Sequence, residues 1–322
     1  MINFLLCFDE NYNNVALLFL HTLLKNVSEK INIYIIHQNP KSLNEIKEKL
    51  LKYENINELN IYKFKEDLSK FPNILHGHMS EATYYRIYID NYLPDDIKYI
   101  FYVDADLLCN KDPVPALKKE IEKLKNSKFM ISAKTEVSRI KNPNWDHWDK
   151  LGLNSTRYFN AGVKLIKLQE WKKAKMSTLM EAKMVELHDR LTFWDQDVLN
   201  SVVNDKFEEL NPYLNFNMML APENNNIALD KEEEGKMIFL HYTGSFKPWT
   251  VRGAFNKKSI YYQDAYFKFY GVKYYIVNTW RISALTQLLK GIFNLQIKNL
   301  RYPLSFIILT IKSLKEPIIV RD

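Results

Sequence analysis

Asp104 and Asp106, separated only by Ala105, follow the apolar run that ends at Val103. Two carboxylates at this spacing just past a strand suit a hard cation such as Mg²⁺ or Mn²⁺. Such ions take oxygen ligands and commonly use one or two carboxylates beside phosphates. The small Ala105 leaves room for a nucleotide ligand to approach. The plain alternative is a pair of loop aspartates capping the next helix, and Asp-x-Asp alone does not decide. The run Leu240-His241-Tyr242-Thr243-Gly244-Ser245-Phe246-Lys247-Pro248-Trp249 adds weight. His241 can offer a neutral imidazole to a metal. Gly244 permits close backbone approach, Lys247 can neutralise phosphate, and Pro248-Trp249 stiffens the turn and walls off a site. A lone His is more often a satisfied core residue, but this clustering favours function.

Two further groups carry suitable chemistry. In Tyr158-Phe159-Asn160-Ala161-Gly162-Val163, the amide of Asn160 and the small pair Ala161-Gly162 could hold hydroxyl groups close to the backbone. The alternative is an ordinary strand with a glycine bulge. Trp194-Asp195-Gln196-Asp197 opens a helix. Asp195 reads either as its N-cap, with Asp197 as a favourable first-turn charge, or as a ligand for a hydroxyl with Gln196 facing a reacting carbon.

Elements must position these groups. Ile2–Phe8, Ile31–His37, Leu59–Phe64 and Lys98–Val103 read as buried strands. Between them, Asn14–Lys25, a capping box at Ser42-Leu43-Asn44-Glu45 leading to Glu54, and Ser80–Tyr92 read as helices. Strands alternating with helices imply an α/β fold with a mainly parallel sheet covered on both faces. Ligands of such sheets bind beyond the carboxyl ends of strands, where Asp9 and Asp104 fall. A lysine-rich helix to Lys125, a strand at Phe129–Ala133, an irregular loop at Asn142–Thr156 and a strand or strand pair at Phe159–Leu168 follow. Helices around Glu170–Leu187 and Trp194–Val203, and a last strand at Lys236–Tyr242, complete the pattern.

Composition excludes several classes. Eight glycines occur without one Gly-x-Gly, which disfavours a dinucleotide-dependent oxidoreductase. The two cysteines, Cys7 and Cys109, make no disulfide framework and fit a reducing cytoplasm. Neither a signal peptide nor a membrane-spanning run is expected. The net charge of +7 is uneven: residues 257–322 hold 11 Lys/Arg against three acidic residues, while residues 1–256 are close to neutral. A basic end on a mildly acidic body argues against nucleic acid and for an anionic surface. Trp280–Leu300 is amphipathic, and Tyr302–Ile311 is apolar before Lys312 and Lys315. The expectation is an interfacial helical region on the inner membrane face; the alternative is packing on the domain or a second subunit.

The chain resembles family 8 of the retaining glycosyltransferases, especially bacterial lipooligosaccharide galactosyltransferases, with glycogenins more distant. Phe8-Asp9-Glu10-Asn11-Tyr12, Thr83-Tyr84-Tyr85-Arg86, Asp104-Ala105-Asp106, Tyr158–Val163, Asp195–Asn200 and His241–Trp249 carry the resemblance, in family order. It implies a GT-A fold over residues 1–255, with residues 256–322 as a basic helical region. It implies a UDP-hexose donor (galactose or glucose) and a glycan or lipid-linked saccharide acceptor. Asp104, Asp106 and His241 would bind Mn²⁺ or Mg²⁺. Asp9 and Asn11 would meet uracil and ribose, with Cys7 beside them. Arg86 would face the donor sugar or phosphate, Gly244 and Lys247 the diphosphate, and Asn160, Ala161, Asp195 and Gln196 the sugar. The segment Lys134-Thr135-Glu136 departs from the relatives where they meet the acceptor.

Gln196 is a poor nucleophile, so the expected route is attack on the same face as the leaving group, with the phosphate oxygen taking the acceptor's proton. Asp195 is the fallback nucleophile of a two-step route. Two rival functions remain: a non-catalytic sugar-nucleotide scaffold and a phosphatase with an aspartyl nucleophile. Release of UDP, no turnover, or turnover of phosphate monoesters separates the three.

Overall fold

A computed structural model describes residues 1–69, 71–72, 80–221, 226–273 and 282–313, without the side chains of 282–284 and 313. Among them run the strands β1 (Ile2–Phe8), β2 (Ile31–His37), β3 (Ile56–Lys63), β4 (Tyr99–Val103), β5 (Leu107–Cys109), β6 (Ile131–Ser138), β7 (Arg157–Lys167), β8 (Glu208–Glu209), β9 (Phe216–Asn217) and β10 (Phe239–His241). The helices are α1 (Asn13–Asn26), α2 (Asn44–Leu50), α3 (Ile89–Tyr92), α4 (Val114–Lys125), α5 (His147–Lys150), α6 (Leu168–Lys173), α7 (Met176–Leu187), α8 (Trp194–Val203), α9 (Lys231–Lys236), α10 (Val251–Ala254), α11 (Ile260–Tyr270), α12 (Ile282–Phe293) and α13 (Pro303–Ser313). The chain divides into two compact units.

The first unit comprises Met1–Ala105 and Lys111–Asn215. Its sheet has the order β3-β2-β1-β4-β7-β6-β8. The pairs β3/β2, β2/β1, β1/β4 and β6/β8 are parallel, while β7 runs antiparallel to both β4 and β6. β1, β2 and β4 are near-continuous apolar runs because both faces of the sheet are covered. Asn3 and Asn32 interrupt these runs without leaving polar groups stranded. Asn57 donates to Asn32, Asn32 to Asn3, and Asn3 to the Tyr99 carbonyl, with bonds of 2.8–3.0 Å. One face packs Leu5, Cys7, Tyr102, Ala133 and Phe159 against Tyr84, Tyr85, Trp171, Met184 and Val198.

The second unit comprises Asp106–Asn110 and Phe216–Asp322. A small sheet, β5-β10-β9, lies at its centre. In the helical part, Val251, Ala254 and Phe255 pack with Leu288, Leu300 and Phe306. Gly291 makes this packing possible, since a Cβ there would lie 2.5 Å from the Phe255 ring.

Several local expectations change. The capping box does not form: Ser42 Oγ donates to the Asn39 carbonyl, because Pro40 first starts a 3-10 turn through Leu43, and α2 ends at Leu50. Ser80 opens a 3-10 helix, Glu81–Tyr88, before the short α3. The helix expected over Glu170–Leu187 is two helices, broken where Lys175 turns left-handed (φ 51°). The segment expected at Phe159–Leu168 is the single strand β7, and β6 runs on to Ser138. The 142–156 loop contains α5. In the tail, α12 starts at Ile282; residues 274–281 and Lys315 lie outside the described residues.

Candidate active site

In the first unit, the carboxyl end of β4 and the 3-10 helix Glu81–Tyr88 bring Asp104 and Arg86 together. Arg86 is buried, at 5% exposure. Its Nε and Nη2 fork onto the Asp195 carboxylate, the Nη2 bond being 3.0 Å. Nη1 reaches Asp104 Oδ1 at 2.9 Å and the Ala161 carbonyl at 3.2 Å, and Nη2 donates to Thr83 Oγ1 at 2.9 Å. Burial, the largest single influence, would lower the guanidinium pKa; Asp195, Tyr102 and Asp104 together outweigh it and hold the pKa above the ordinary arginine range. The cation therefore joins two carboxylates from distant parts of the chain.

Asp195 is fully buried and is not the N-cap of α8; that position is Phe193. Its Oδ1 accepts from Thr83 and Arg86, and its Oδ2 from Arg86. The helix start is held instead by Asp197, whose Oδ2 accepts from the Thr192 and Phe193 amides at 2.7 Å each. Trp194 is left-handed (φ 43°), a strained state for an aromatic residue immediately before Asp195 and Gln196.

Gln196 is half-buried and fixed at both ends of its amide. Oε1 accepts from the Ala161 amide at 2.9 Å, and Nε2 donates to Glu136 Oε2 at 3.1 Å. Asn160 also donates to Glu136 Oε2, at 3.4 Å, and accepts from Gly162 N and Asn215 Nδ2 at 3.0 Å each. Thr83 and Glu136, named in the sequence only as members of longer segments, and Tyr102 are site residues to which sequence reasoning gave no role of their own. Tyr102 donates to Asp104 Oδ1 at 2.7 Å.

Asp9 closes the mouth of β1. It caps the 3-10 turn Glu10–Tyr12, accepting from the Asn11 amide and from Asn11 Nδ2 at 3.0 Å each. Cys7 is buried on β1 two residues earlier, and burial pushes its thiol far above the ordinary range, so it stands as a neutral, apolar wall.

In the second unit, β5 and β10 pair antiparallel with His241 opposite Leu107, which sets Asp106 beside the imidazole. His241 Nε2 lies 3.3 Å from Asp106 Oδ1, and Lys247 Nζ lies 2.6 Å from Oδ2. All three side chains are buried. Burial raises the Asp106 pKa, but Lys247 and then His241 outweigh burial and hold the carboxyl well below its usual range. Lys247 also donates to the Tyr242 carbonyl. Gly244 is exposed and left-handed (φ 77°), so a side chain there would be strained. Gly253 was not foreseen: a Cβ on it would stand 2.1 Å from the Lys247 carbonyl. Trp249 is buried against Tyr262 and packs the unit's interior.

Lys164 is a further unforeseen residue, 1% exposed in the middle of β7. Its Nζ donates to the Ala161 carbonyl at 2.9 Å and sits 3.6 Å from the Tyr102 ring centroid. Burial first, and the Arg86 charge second, bring its pKa down to about 7. The folded state therefore binds fewer protons than the unfolded chain between about pH 7 and the ordinary lysine value, and stability rises with pH in that window. The urea midpoint is expected to climb from about pH 7 to about pH 9, and to climb less in Lys164→Met. Equal slopes in the two proteins would sink this expectation.

In the first unit, carboxylates and a buried guanidinium gather at the carboxyl ends of sheet strands, the position where open α/β sheets bind ligands. The chain matches the sequence profile of Glycosyl transferase family 8 over residues 3–253. General stress protein A of Bacillus subtilis is 24% identical over 280 residues, covering 82% of this chain and 91% of that protein. Lipopolysaccharide 1,3-galactosyltransferase of Salmonella typhimurium is 28% identical over 183 residues, covering 54% of this chain and 51% of that one. The solved structure of galactosyltransferase LgtC, in complex with donor and acceptor sugar analogues, superposes with a TM-score of 0.66 at 18% identity, over 89% of this chain and 100% of that one. The chain belongs to glycosyltransferase family 8, a retaining glycosyltransferase of GT-A fold.

Proposed function

We propose that the enzyme moves a hexose, galactose or glucose, from a UDP-sugar to a glycan or lipid-linked saccharide, with a divalent cation as cofactor. The observation that carries the cation is Asp106. Its Oδ1 is buried and has no hydrogen-bond partner among the described residues, with His241 Nε2 3.3 Å away. An oxygen so placed suits a hard cation. A carboxylate–imidazole donor set fits Mn²⁺ or Mg²⁺. Asp104, two positions before Asp106, completes the proposed ligands. When bound, the ion neutralises charge on the leaving diphosphate.

The chain's own residues do the rest. Lys247 and the open backbone at Gly244 serve the diphosphate, and Asp9, Asn11 and Cys7 line the nucleoside end. Gln196 and Asn160, held by Ala161, Gly162 and Glu136, face the sugar. Asp195 has both oxygens committed to Arg86 and Thr83, which makes it an anchor rather than a nucleophile. That favours attack on the same face: the acceptor oxygen bonds to the anomeric carbon, the bond to the phosphate oxygen breaks, and that oxygen takes the acceptor's proton. UDP-galactose and UDP-glucose, each with and without Mn²⁺, test the reading. UDP release only with the ion is expected; turnover of phosphate monoesters instead, or of nothing, overturns it.

We also infer that the second unit's helical end lies on an anionic membrane surface. No helix among the described residues is long and apolar enough to cross a membrane. Yet Leu289, Phe293, Leu295, Leu304 and Ile308 are exposed, Phe293 at 83%, while Leu288 and Phe306 pack inward. Lys290, Lys298, Arg301 and Lys312 accompany the exposed apolar residues. Apolar side chains among cations suit an interfacial position. Co-sedimentation with phosphatidylglycerol vesicles is expected for the full chain and reduced in Phe293→Ser/Leu304→Ser. Equal recovery of both proteins with these vesicles counts against it.

A further inference from the structure

We propose that Lys164 is a positioning residue for transfer: from beneath the sheet it holds the Ala161 carbonyl and the Tyr102 ring, and through them it orients Gln196 and Asp104. The inference rests on the reading of Gln196 as the residue facing the donor sugar.

A lysine is out of place where it sits. Directly across from it are Tyr102 on β4 and Ala133 on β6. The face they share is a core of Leu5, Ile100, Ile131 and Ile166. Packing alone would be served by a methionine or leucine of similar volume, without the desolvation cost of an ammonium. The buried amino group therefore needs a reason, and its two contacts supply one.

The first contact is the Ala161 carbonyl. Arg86 Nη1 also reaches this oxygen, but at 3.2 Å and while bonding Asp104, whereas the Lys164 bond is 2.9 Å. On the other side of the same α-carbon, the Ala161 amide donates to Gln196 Oε1 at 2.9 Å. Fixing the carbonyl thus fixes the segment that aims the Gln196 amide. The second contact is the Tyr102 ring, whose hydroxyl donates to Asp104. One buried amino group thereby stands under both the sugar-facing amide and the first carboxylate of Asp-x-Asp. A small misplacement of such groups is enough to cost rate without costing affinity.

The test compares wild type, Lys164→Met and Lys164→Gln in Mn²⁺-dependent release of UDP from UDP-galactose and UDP-glucose, with melting curves for each. Expected for Lys164→Met is a melting temperature equal to or above wild type, kcat lower by about 10- to 100-fold, and donor KM within about twofold of wild type. Lys164→Gln, which keeps an N–H donor, should retain more kcat than Lys164→Met. A folded Lys164→Met with wild-type kcat overturns the proposal. If Lys164→Met does not fold, Lys164→Leu takes its place: wild-type kcat in a folded Lys164→Leu does the same, and a kcat loss at constant KM supports the proposal. A wild type that releases no UDP from either donor instead removes the reading of the site on which the proposal stands.

Discussion

Arg86→Met is expected to give the largest combined loss of stability and turnover of any single substitution in the first unit. Arg86 is buried, and its donors are spread over Asp195, Asp104, Thr83 and Ala161. Methionine fills much of the same space but leaves Asp195, at 0% exposure, with Thr83 as its remaining donor. Removing one partner of a buried ion pair typically costs about 3–5 kcal/mol, because the other charge stays behind. Turnover should fall at least about 100- to 1,000-fold, since Asp104 and Ala161 lose the group that ties them together. The double variant Arg86→Met/Asp195→Asn separates the two effects. Taking away the stranded charge should restore a large part of the stability, measured by urea unfolding, but none of the turnover. A double variant no more stable than Arg86→Met would mean that the pair is not the source of the loss.

The same pair shows what the amino-acid order discloses. Arg86 and Asp195 were each singled out, but their partnership spans 109 residues and leaves no trace in local periodicity. β1, β2 and β4 are legible because buried parallel strands are continuous apolar runs. α8 is legible as a periodic segment, whereas its cap is not, because Asp197 rather than Asp195 reaches back to the free amides. Lys175 breaks α6 from α7 without a glycine or proline to announce it. β5 and β9 have three and two residues, too few to display a period, whereas β10, which carries His241, falls within the strand read at Lys236–Tyr242. Lys164 was hidden for another reason: nothing in the local pattern marks a lysine within an apolar strand as buried, and only tertiary packing shows it. Glu136 lay in the segment where the chain departs from its relatives, and its role emerges from the amides of Gln196 and Asn160 converging on one oxygen.

The second large effect is a pair of opposite responses to Mn²⁺ at Asp106 and Lys247. Without an ion, Lys247 is the counter-charge of Asp106, 2.6 Å away, and both are buried. In Lys247→Met that carboxylate loses its main compensating charge, so the ion-free protein should be destabilised by about 3–5 kcal/mol. A divalent ion then meets a more exposed need for positive charge, and the melting-temperature increase on adding Mn²⁺ should exceed that of wild type. Asp106→Asn acts in the other direction. The buried ammonium of Lys247 keeps the Tyr242 carbonyl but loses its anion, so the ion-free protein is again weakened. The amide binds Mn²⁺ far less well than a carboxylate, so the increase should vanish. For a ligand that binds only the folded state, saturation at about 100 times Kd corresponds to about 2.7 kcal/mol, well within reach of a melting curve. Turnover of a UDP-sugar should fall in both variants, most in Asp106→Asn, by about 1,000-fold if the ion supplies several kcal/mol to the departing diphosphate. Activity alone therefore cannot tell a ligand from a charge partner, whereas the sign of the Mn²⁺ response can. If Asp106→Asn keeps the full Mn²⁺ increase, the ion binds elsewhere, and the buried Asp106, His241 and Lys247 form a structural ion-pair cluster instead.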